Sequence, residues 1–101
     1  MRTLYCMKAD LVLTSRSGRK TYQPNSTLYF SSTRKYTPAE VKNEIRTQKD
    51  KILERLNEIR KGKVVITAMS ENVEEITVDK VVDGWVYYNS GVTPILAIIE
   101  I

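Results

Sequence analysis

One segment near the middle of the chain carries the end signals of a long helix, and it constrains the fold more than any other feature. Thr37 is a good N-cap, Pro38 suits the first helical position, and Glu40 completes a capping box. Gly62 is the natural point at which this helix ends. We therefore predict one helix over residues 38–61, packed against a sheet. Six positions share one face of that helix, five of them apolar: Val41, Ile45, Gln48, Ile52, Leu56 and Ile59.

The sequence before this helix predicts a β-hairpin. Residues 2–14 alternate between two faces, and the turn that follows contains Gly18, which is free to take a positive φ. The return strand should break or bulge at Pro24, because proline cannot donate to a strand ladder, and strand character resumes over residues 27–33. The better core face of the first strand holds Tyr5, Met7, Ala9, Leu11 and Leu13.

Four further strands are predicted after the helix. Asp83 and Gly84 lie between two apolar runs and form the strongest short hairpin signal in the sequence. The acids Glu71, Glu74 and Glu75 fit a solvated turn better than a calcium loop, because they lack the alternating spacing of calcium ligands. The predicted strands are residues 63–69, 74–82, 85–89 and 94–101.

These elements together predict an α+β domain. Its antiparallel sheet has about five or six strands, in the order β-hairpin, one long helix, β-meander, and the helix packs on one face of the sheet. A length of 101 residues suits a single domain over residues 1–101. The longest apolar run is far shorter than the roughly 20 residues that cross a membrane as a helix. We therefore expect no membrane partner.

The residues that usually carry catalysis or bind metals are scarce in this sequence. It has no histidine and one cysteine, Cys6, in the middle of a predicted strand. Its four glycines are scattered and form no phosphate-binding loop. We expect no enzyme, metal, cofactor or small-molecule substrate, although a histidine-free hydrolase or transferase stays open if a pocket of titratable groups exists. The lone cysteine and the lack of a signal-peptide pattern favour the cytoplasm.

Charge is distributed unevenly along the chain. The formal net charge is +4, but residues 1–63 hold 15 Lys and Arg against 6 Asp and Glu, whereas residues 64–101 hold 1 Lys against 6 acids. The two parts therefore carry net charges of +9 and −5. Such asymmetry is typical of proteins that meet a nucleic acid, a membrane surface or an acidic partner. The two parts can equally attract each other within the fold, which would leave no charged surface.

Residues 11–39 form a basic and aromatic stretch that contains no acid. Cations bind phosphates and aromatic rings stack on bases, and an antiparallel ribbon can present both. The leading hypothesis is a small non-enzymatic protein that contacts nucleic acid through this hairpin. The alternative is that the cations only keep the edge of a sheet soluble. The nucleic-acid-binding residues in this hypothesis are Arg16, Arg19, Lys20, Tyr22, Arg34, Lys35 and Tyr36.

The apolar end of the sequence supports a second hypothesis, a protein-interaction, assembly or inhibitor module. Residues 95–99 are apolar throughout, and three aromatic residues precede them closely. A strand of this kind is either buried on both faces or pairs with another subunit. The module would form a homodimer or bind a partner through a hairpin over residues 85–101, with the basic stretch as a soluble rim. The interface residues would be Trp85, Tyr87, Leu96 and Ile98.

Overall fold

The computed structural model describes residues 3–89 and 91–101, and within them it contains seven strands and two α-helices. The strands are β1 (Thr3–Thr14), β2 (Lys20–Ser32), β3 (Lys63–Ile76), β4 (Val78–Val82), β5 (Trp85–Tyr88), β6 (Gly91–Pro94) and β7 (Ile98–Glu100). The helices are α1 (Pro38–Thr47) and α2 (Lys49–Arg60), and a short 3₁₀ turn covers Ile95–Ala97. The predicted α+β class is confirmed. No helix in the described ranges is long and apolar enough to cross a membrane.

The strands form two sheets, so the prediction of one antiparallel sheet of five or six strands is wrong. The large sheet has the order β3-β1-β2-β7, and the small sheet has the order β4-β5-β6. β7 runs parallel to β2, whereas the other pairs are antiparallel. The last apolar segment, predicted as one strand over 94–101, explains the split. β6 ends at Pro94, and the 3₁₀ turn over Ile95–Ala97 redirects the chain to the edge of the large sheet.

Both helices lie against one face of the large sheet and enclose the main core with it. Tyr5 lies opposite Phe30 in the β1–β2 ladder, and alternate residues of both strands point towards the helices. The predicted core face of β1 is confirmed, although Leu13 is less buried than the other four residues. The buried core consists of Tyr5, Met7, Ala9, Leu11, Leu28, Phe30, Val41, Ile45, Ile52, Leu56, Val64, Val73 and Ile99.

The helical segment breaks at Gln48, so the prediction of one long helix over 38–61 is wrong. Gln48 has φ −104° and ψ 22°, outside helical values. Its N–H still donates to the Glu44 carbonyl at 2.9 Å, and its carbonyl accepts from the Ile52 N–H at 3.0 Å. A straight helix would direct this polar amide into the apolar core. In the structure the Gln48 Nε2 donates to the Glu44 carboxylate at 2.7 Å instead.

Three local signals in the sequence are confirmed. Thr37 and Glu40 form a reciprocal capping box at the start of α1. Asp83 and Gly84 form the two-residue turn between β4 and β5, with φ +52° and +80°, as a type I′ turn requires. The β1–β2 ladder shifts its register around Pro24, which is the predicted bulge.

β3 is one long strand where the sequence predicted two strands and a turn of acids between them. It pairs with β1 over most of its length, and shifts in register absorb the extra residues. Glu71, Glu74 and Glu75 therefore lie on a strand. The Lys42 ammonium in α1 binds the Glu71 carboxylate, and the hydrogen bond and charge of Lys42 lower the pKa of that carboxyl. This ion pair links α1 to the edge of the large sheet.

The small sheet contacts the other face of the large sheet through Tyr29, near the end where β1 begins. The hydroxyl groups of Tyr29 in β2 and Tyr88 in β5 are 2.7 Å apart. Burial raises the pKa of Tyr29 well above its ordinary value, and the hydrogen bond with Tyr88 raises it further. Val86 of the small sheet is buried, whereas Tyr22 and Val65, at the opposite end of this face, remain exposed. The small sheet therefore covers only one end of the face.

Candidate functional site

The five cations predicted to bind nucleic acid lie in two groups at opposite ends of β2. Arg16, Arg19 and Lys20 surround the turn between β1 and β2. Arg34 and Lys35 follow the other end of β2. The 13 residues of β2 span roughly 40 Å at about 3.3 Å per residue, and the longest dimension of the molecule is 39 Å. The structure therefore brings three of these cations together and leaves two at the other end.

Arg34 and Lys35 are partly engaged within the protein. The Arg34 guanidinium lies over the Tyr36 ring, 5.4 Å from its centroid. Lys35 Nζ lies 3.9 Å from a carboxylate oxygen of Glu75. The Tyr36 N–H donates to the Tyr5 hydroxyl at 2.7 Å, and that hydroxyl donates to the Tyr36 carbonyl at 3.1 Å. Tyr36 packs half-buried against the main core, so less of this side chain is exposed than of Tyr22.

The β1–β2 turn meets a second basic segment, formed by the end of α2 and the start of β3. Gly62 joins these two elements and lies so close to β1 that an added Cβ would be 2.7 Å from the Thr14 carbonyl oxygen. Thr14 lies opposite Lys20 in β2 and opposite Lys63 in β3. We call this surface the basic end. Its six cations are Arg16, Arg19, Lys20, Arg60, Lys61 and Lys63.

The segments that form the basic end contain no acid. Residues 11–23 and 60–70 hold six Lys and Arg and no Asp or Glu. Arg60 donates to Oε1 of Gln23 at 3.1 Å, whereas the other five cationic side chains have no hydrogen-bond or ion-pair partner among the described residues. The next acid along β1 is Asp10, and its carboxylate accepts the Asn25 N–H at 2.8 Å. The uneven charge of the sequence therefore survives as a basic surface in the folded protein.

An exposed aromatic ring adjoins these cations on the face of the large sheet that the helices leave uncovered. Tyr22 is 61% exposed and lies opposite Val12, and Val12 lies opposite Val65 on its other side. This row shares a face with Lys20 and Lys63, because alternate residues of a strand point the same way. A cationic row therefore lies beside an apolar row that ends in a free ring. Such a strip suits a nucleic-acid strand, which presents both phosphates and bases.

The prediction from the sequence omits three residues of the basic end, Arg60, Lys61 and Lys63. They are remote from the hairpin in sequence and reach it only through the pairing of β3 with β1. The acid-free run over 60–70 is the signal that points to them, because the strand after the helix has to return along the sheet. Charge alone could not identify the partner strand, since the register of the pairing decides which cations meet.

The four predicted interface residues divide between the two sides of the small sheet. Trp85 and Tyr87 lie on its outer face, where they are 45% and 37% exposed. The Lys80 ammonium on that face lies 4.9 Å from the centroid of the Tyr87 ring. Leu96 is exposed and Ile98 half-buried, and both line a groove on the inner side. The two pairs therefore belong to two different surfaces.

Cys6 is half-buried on the same face of the large sheet as Tyr29, its partner in β2. Burial raises the pKa of the Cys6 thiol, the Glu74 carboxylate raises it further, and Lys8 lowers it. The thiol therefore stays protonated at neutral pH, which disfavours a nucleophilic role. No group of three or more His, Cys, Asp or Glu side chains that could hold a metal ion occurs in the described part of the chain.

Comparison with known protein families, with curated proteins and with solved structures finds no match for this chain. Function therefore has to be inferred from the surfaces that the structure presents. The basic end offers free cations beside a free ring, whereas the small sheet offers apolar side chains on both of its sides.

Proposed function

We propose that this chain is a small non-enzymatic protein that binds single-stranded nucleic acid through the basic end. One observation carries the proposal: six cations from two segments that are remote in sequence and free of acids converge at one end of the large sheet. Five of them have no side-chain partner among the described residues. Each of these five is available to neutralise a phosphate and release a condensed counterion.

Tyr22 favours a single strand over a duplex. A ring stacks on a base only where the face of the base is free, and the bases of a duplex already stack on each other. Stacking of a base on an aromatic side chain contributes about 1–3 kcal/mol and depends little on the base. The exposed Tyr22 ring beside Lys20 therefore supports binding that is sensitive to salt and tolerant of sequence.

A cytoplasmic location and the absence of catalysis are parts of this proposal. Cys6 is the only cysteine, so it forms no disulfide within the chain. The cations of the basic end have no acid beside them in either segment, which suits phosphate binding better than acid–base chemistry. The ligand is then held by charge and stacking, without a covalent step.

The dependence of binding on salt tests the proposal directly. Fluorescence polarisation of labelled single-stranded and duplex DNA and RNA would be measured between about 50 and 200 mM salt. If five cations each engage a phosphate, the log–log slope should be about −3.5 for single strands. We expect tighter binding of single strands than of duplexes. No binding at high-micromolar protein and low salt would contradict the proposal.

The two ends of β2 provide a matched pair of variants. The double variant Arg19→Gln/Lys20→Gln removes one Arg and one Lys from the basic end, and Arg34→Gln/Lys35→Gln removes the same pair from the other end. The first should reduce the salt slope by about 1.4, because each lost phosphate contact on a single strand is worth about 0.7. The second should leave the slope unchanged. Equal effects of both variants would mean that the binding surface lies elsewhere or that binding depends only on the net charge of the protein.

Tyr22 is tested by comparison of two substitutions. Tyr22→Ala should weaken single-strand binding by about fivefold or more, the factor that corresponds to about 1 kcal/mol of lost stacking. Tyr22→Phe should bind as the original protein does, because it keeps the ring. Duplex binding should respond little to either change. If Tyr22→Phe binds as weakly as Tyr22→Ala, stacking is not the role of this residue.

The outer face of the small sheet favours a second candidate function, assembly into a homodimer or docking of a protein partner. Trp85 lies opposite Val82 and Tyr87 lies opposite Val92, so aromatic and aliphatic side chains share this face. All four are exposed. Sedimentation tests the homodimer. As the protein concentration rises, the apparent mass should double, and Trp85→Ser should keep it at the monomer value. A monomer at every concentration would exclude the homodimer.

A further inference from the structure

A cavity of about 380 Å³ lies between the end of α2, the edge of β2 and the chain from β6 to β7. Its volume is within the usual range of ligand sites, roughly 300–1,000 Å³. Three of its apolar residues belong to the main core and are almost fully buried, so the cavity extends into the interior of the protein. Its main apolar lining residues are Leu28, Leu56, Ile59, Pro94, Ala97 and Ile99.

Thr93 brings to this cavity a buried hydroxyl group that has no partner. Thr93 is 2% exposed and lies opposite Val86, on the inner side of the small sheet. Its hydroxyl makes no hydrogen bond with any residue that the structure describes. Every described side-chain oxygen or nitrogen that is fully sealed from solvent has a partner, so the Thr93 oxygen borders the cavity. An unpaired hydroxyl at such depth is unfavourable, and a ligand that bonds it removes this penalty.

Arg60 is the charged side chain of the lining, and no carboxylate stands among the described lining residues. Arg60 donates to Oε1 of Gln23 at 3.1 Å. This bond orients the guanidinium without neutralising it, because the amide of Gln23 carries no net charge. No described carboxylate lies within ion-pair distance of Arg60. Its remaining N–H groups suit a carboxylate, which accepts two parallel bonds from a guanidinium.

The lining of the cavity selects a small amphipathic anion. Its aliphatic walls accept an apolar body, and its single charge favours an anion over a cation. A nucleobase fits less well, because it has several hydrogen-bonding edge groups and the walls would leave most of them unpaired. Arg60 comes from α2 and Thr93 from the small sheet, so the two polar anchors lie on different walls. A fitting ligand therefore carries two polar groups separated by an apolar body.

We propose that this cavity binds a small aliphatic hydroxy acid, with its carboxylate on Arg60 and its hydroxyl on Thr93. This proposal goes beyond nucleic-acid binding and does not depend on it. Arg60 is the one cation of the basic end that already has a side-chain partner, and the other five remain available for phosphates. A test of one site can therefore fail while the other site binds.

Three straight-chain acids and their ω-hydroxy derivatives test the proposal: hexanoate, octanoate and decanoate. Binding to the full chain is measured by calorimetry, and the site is mapped from the NMR shifts of the amides. The best hydroxy acid should bind about fivefold more tightly than its parent acid, the usual effect of one hydrogen bond. It should shift the amides of Leu28, Thr93 and Ala97. No binding of any hydroxy acid at millimolar concentration would overturn the proposal.

Arg60 and its neighbour Lys61 provide a matched pair for the charge. Both are cations at the end of α2, but Lys61 does not line the cavity. Arg60→Gln should weaken binding of the best hydroxy acid about tenfold or more, the effect of a lost hydrogen bond to a charged group. Lys61→Gln should leave the affinity unchanged. Equal losses from both variants would mean that the acid binds only to the net positive charge, and would overturn the proposal.

Thr93 is tested by two substitutions of similar shape. Thr93→Val removes the hydroxyl, whereas Thr93→Ser keeps it. Because this hydroxyl has no partner in the free protein, Thr93→Val should not lower the thermal stability. It should nevertheless abolish the advantage of the hydroxy acid over its parent acid, and Thr93→Ser should retain that advantage. An advantage that survives in Thr93→Val would show that Thr93 does not bind the ligand hydroxyl.

Discussion

The hydroxyl of Tyr29 in β2 lies 2.7 Å from the hydroxyl of Tyr88 in β5, with the two ring centroids 6.2 Å apart. This pair is a direct side-chain bond between the large and small sheets. It is partly buried, so water competes for it less than at the surface. This contact helps to hold the small sheet against the large sheet.

We expect Tyr88→Phe to destabilise the protein by about 1 kcal/mol, because the Tyr29 hydroxyl loses its partner. Tyr29→Phe should lower the free energy of unfolding by a similar amount. The double variant should lower it by less than the sum of the two single effects. Urea unfolding of the four proteins gives the coupling energy between the hydroxyls. Strict additivity of the two single effects would show that the hydroxyls do not stabilise each other.

The raised pKa of Tyr29 predicts a loss of stability in alkali. The folded protein holds this proton above the pH at which the unfolded chain releases it, near the ordinary tyrosine pKa of about 10. The contribution to stability is therefore full below about pH 10 and falls as the pH rises further. Unfolding measured between neutral pH and alkaline pH should show this decline in the original protein. Tyr29→Phe should show a smaller decline.

The capping box of α1 predicts a separate sensitivity to acid. Thr37 donates its N–H to the Glu40 carboxylate at 3.1 Å, and hydrogen bonds with Thr37 lower the pKa of Glu40. Stability from this carboxylate is present above its unfolded pKa, about 4.3, and is lost as the pH falls through the lower folded value. Glu40→Gln keeps an acceptor without a charge, so it should reduce this acid sensitivity in a pH series of unfolding curves.

Thr37→Ala should cost about 1 kcal/mol at neutral pH, since it removes the N-cap oxygen that accepts the Glu40 N–H. Thr47→Ala at the other end of α1 is the control. The Thr47 hydroxyl donates to the Asn43 carbonyl within the helix, so its loss exposes no helix terminus. Equal destabilisation by both substitutions would mean that the cap does not set the stability of α1.

The αL conformation of Lys61 predicts a stabilising substitution. Lys61 ends α2 with φ 55° and ψ 46°, a region where a side chain is strained and glycine is not. Lys61→Gly should therefore raise the free energy of unfolding by about 0.5–1 kcal/mol relative to Lys61→Ala. Thermal unfolding of the two variants measures the difference, and both lack the same cation. A less stable glycine variant would contradict this interpretation of the helix end.

The next residue, Gly62, has no room for a side chain. A Cβ there would approach Leu13 Cδ1 to 2.9 Å as well as the Thr14 carbonyl oxygen. We expect Gly62→Ala to cost about 1–3 kcal/mol through a forced shift of β1. Gly62→Ala should also weaken nucleic-acid binding more than its loss of stability predicts, because the shift separates Lys63 from Lys20. Fluorescence polarisation with labelled nucleic acid, measured well below the unfolding temperature, would show the weaker binding of the folded variant.

The shielded thiol of Cys6 predicts slow chemical modification. Because burial and Glu74 raise its pKa, the reactive thiolate is scarce at neutral pH. A disulfide reagent should react with the folded protein more slowly than with the chain unfolded in guanidinium. Glu74→Gln should speed the folded reaction, since it removes the repelling charge. An equal rate in both states would show that the thiol is neither shielded nor electrostatically suppressed.

Features set by neighbouring residues could be predicted from the sequence. The capping box at Thr37, the turn at Asp83 and the bulge at Pro24 each follow from the conformational limits of a few residues. The core face of β1 follows from simple alternation. In these cases the local preference and the tertiary structure agree.

Features set by remote pairing could not be predicted in this way. Helical periodicity alone does not reveal that the backbone leaves helical values at Gln48, whose amide donates to the Glu44 carboxylate four residues earlier. The segment predicted as one strand over 94–101 leaves the small sheet at Pro94 and joins the large sheet at Ile98, because a 3₁₀ turn lies between the two. Lys63 joins Lys20 only through the register of β3 on β1. The composition of the basic end therefore depends on which strands pair.

β1 is a continuous strand that runs from Leu4, near the small sheet, to Thr14 at the basic end. A hydrogen-bonded strand with a neighbour on each side is stiff, so it keeps these two positions about 33 Å apart. A substitution in the small sheet should therefore leave the cations of the basic end in place.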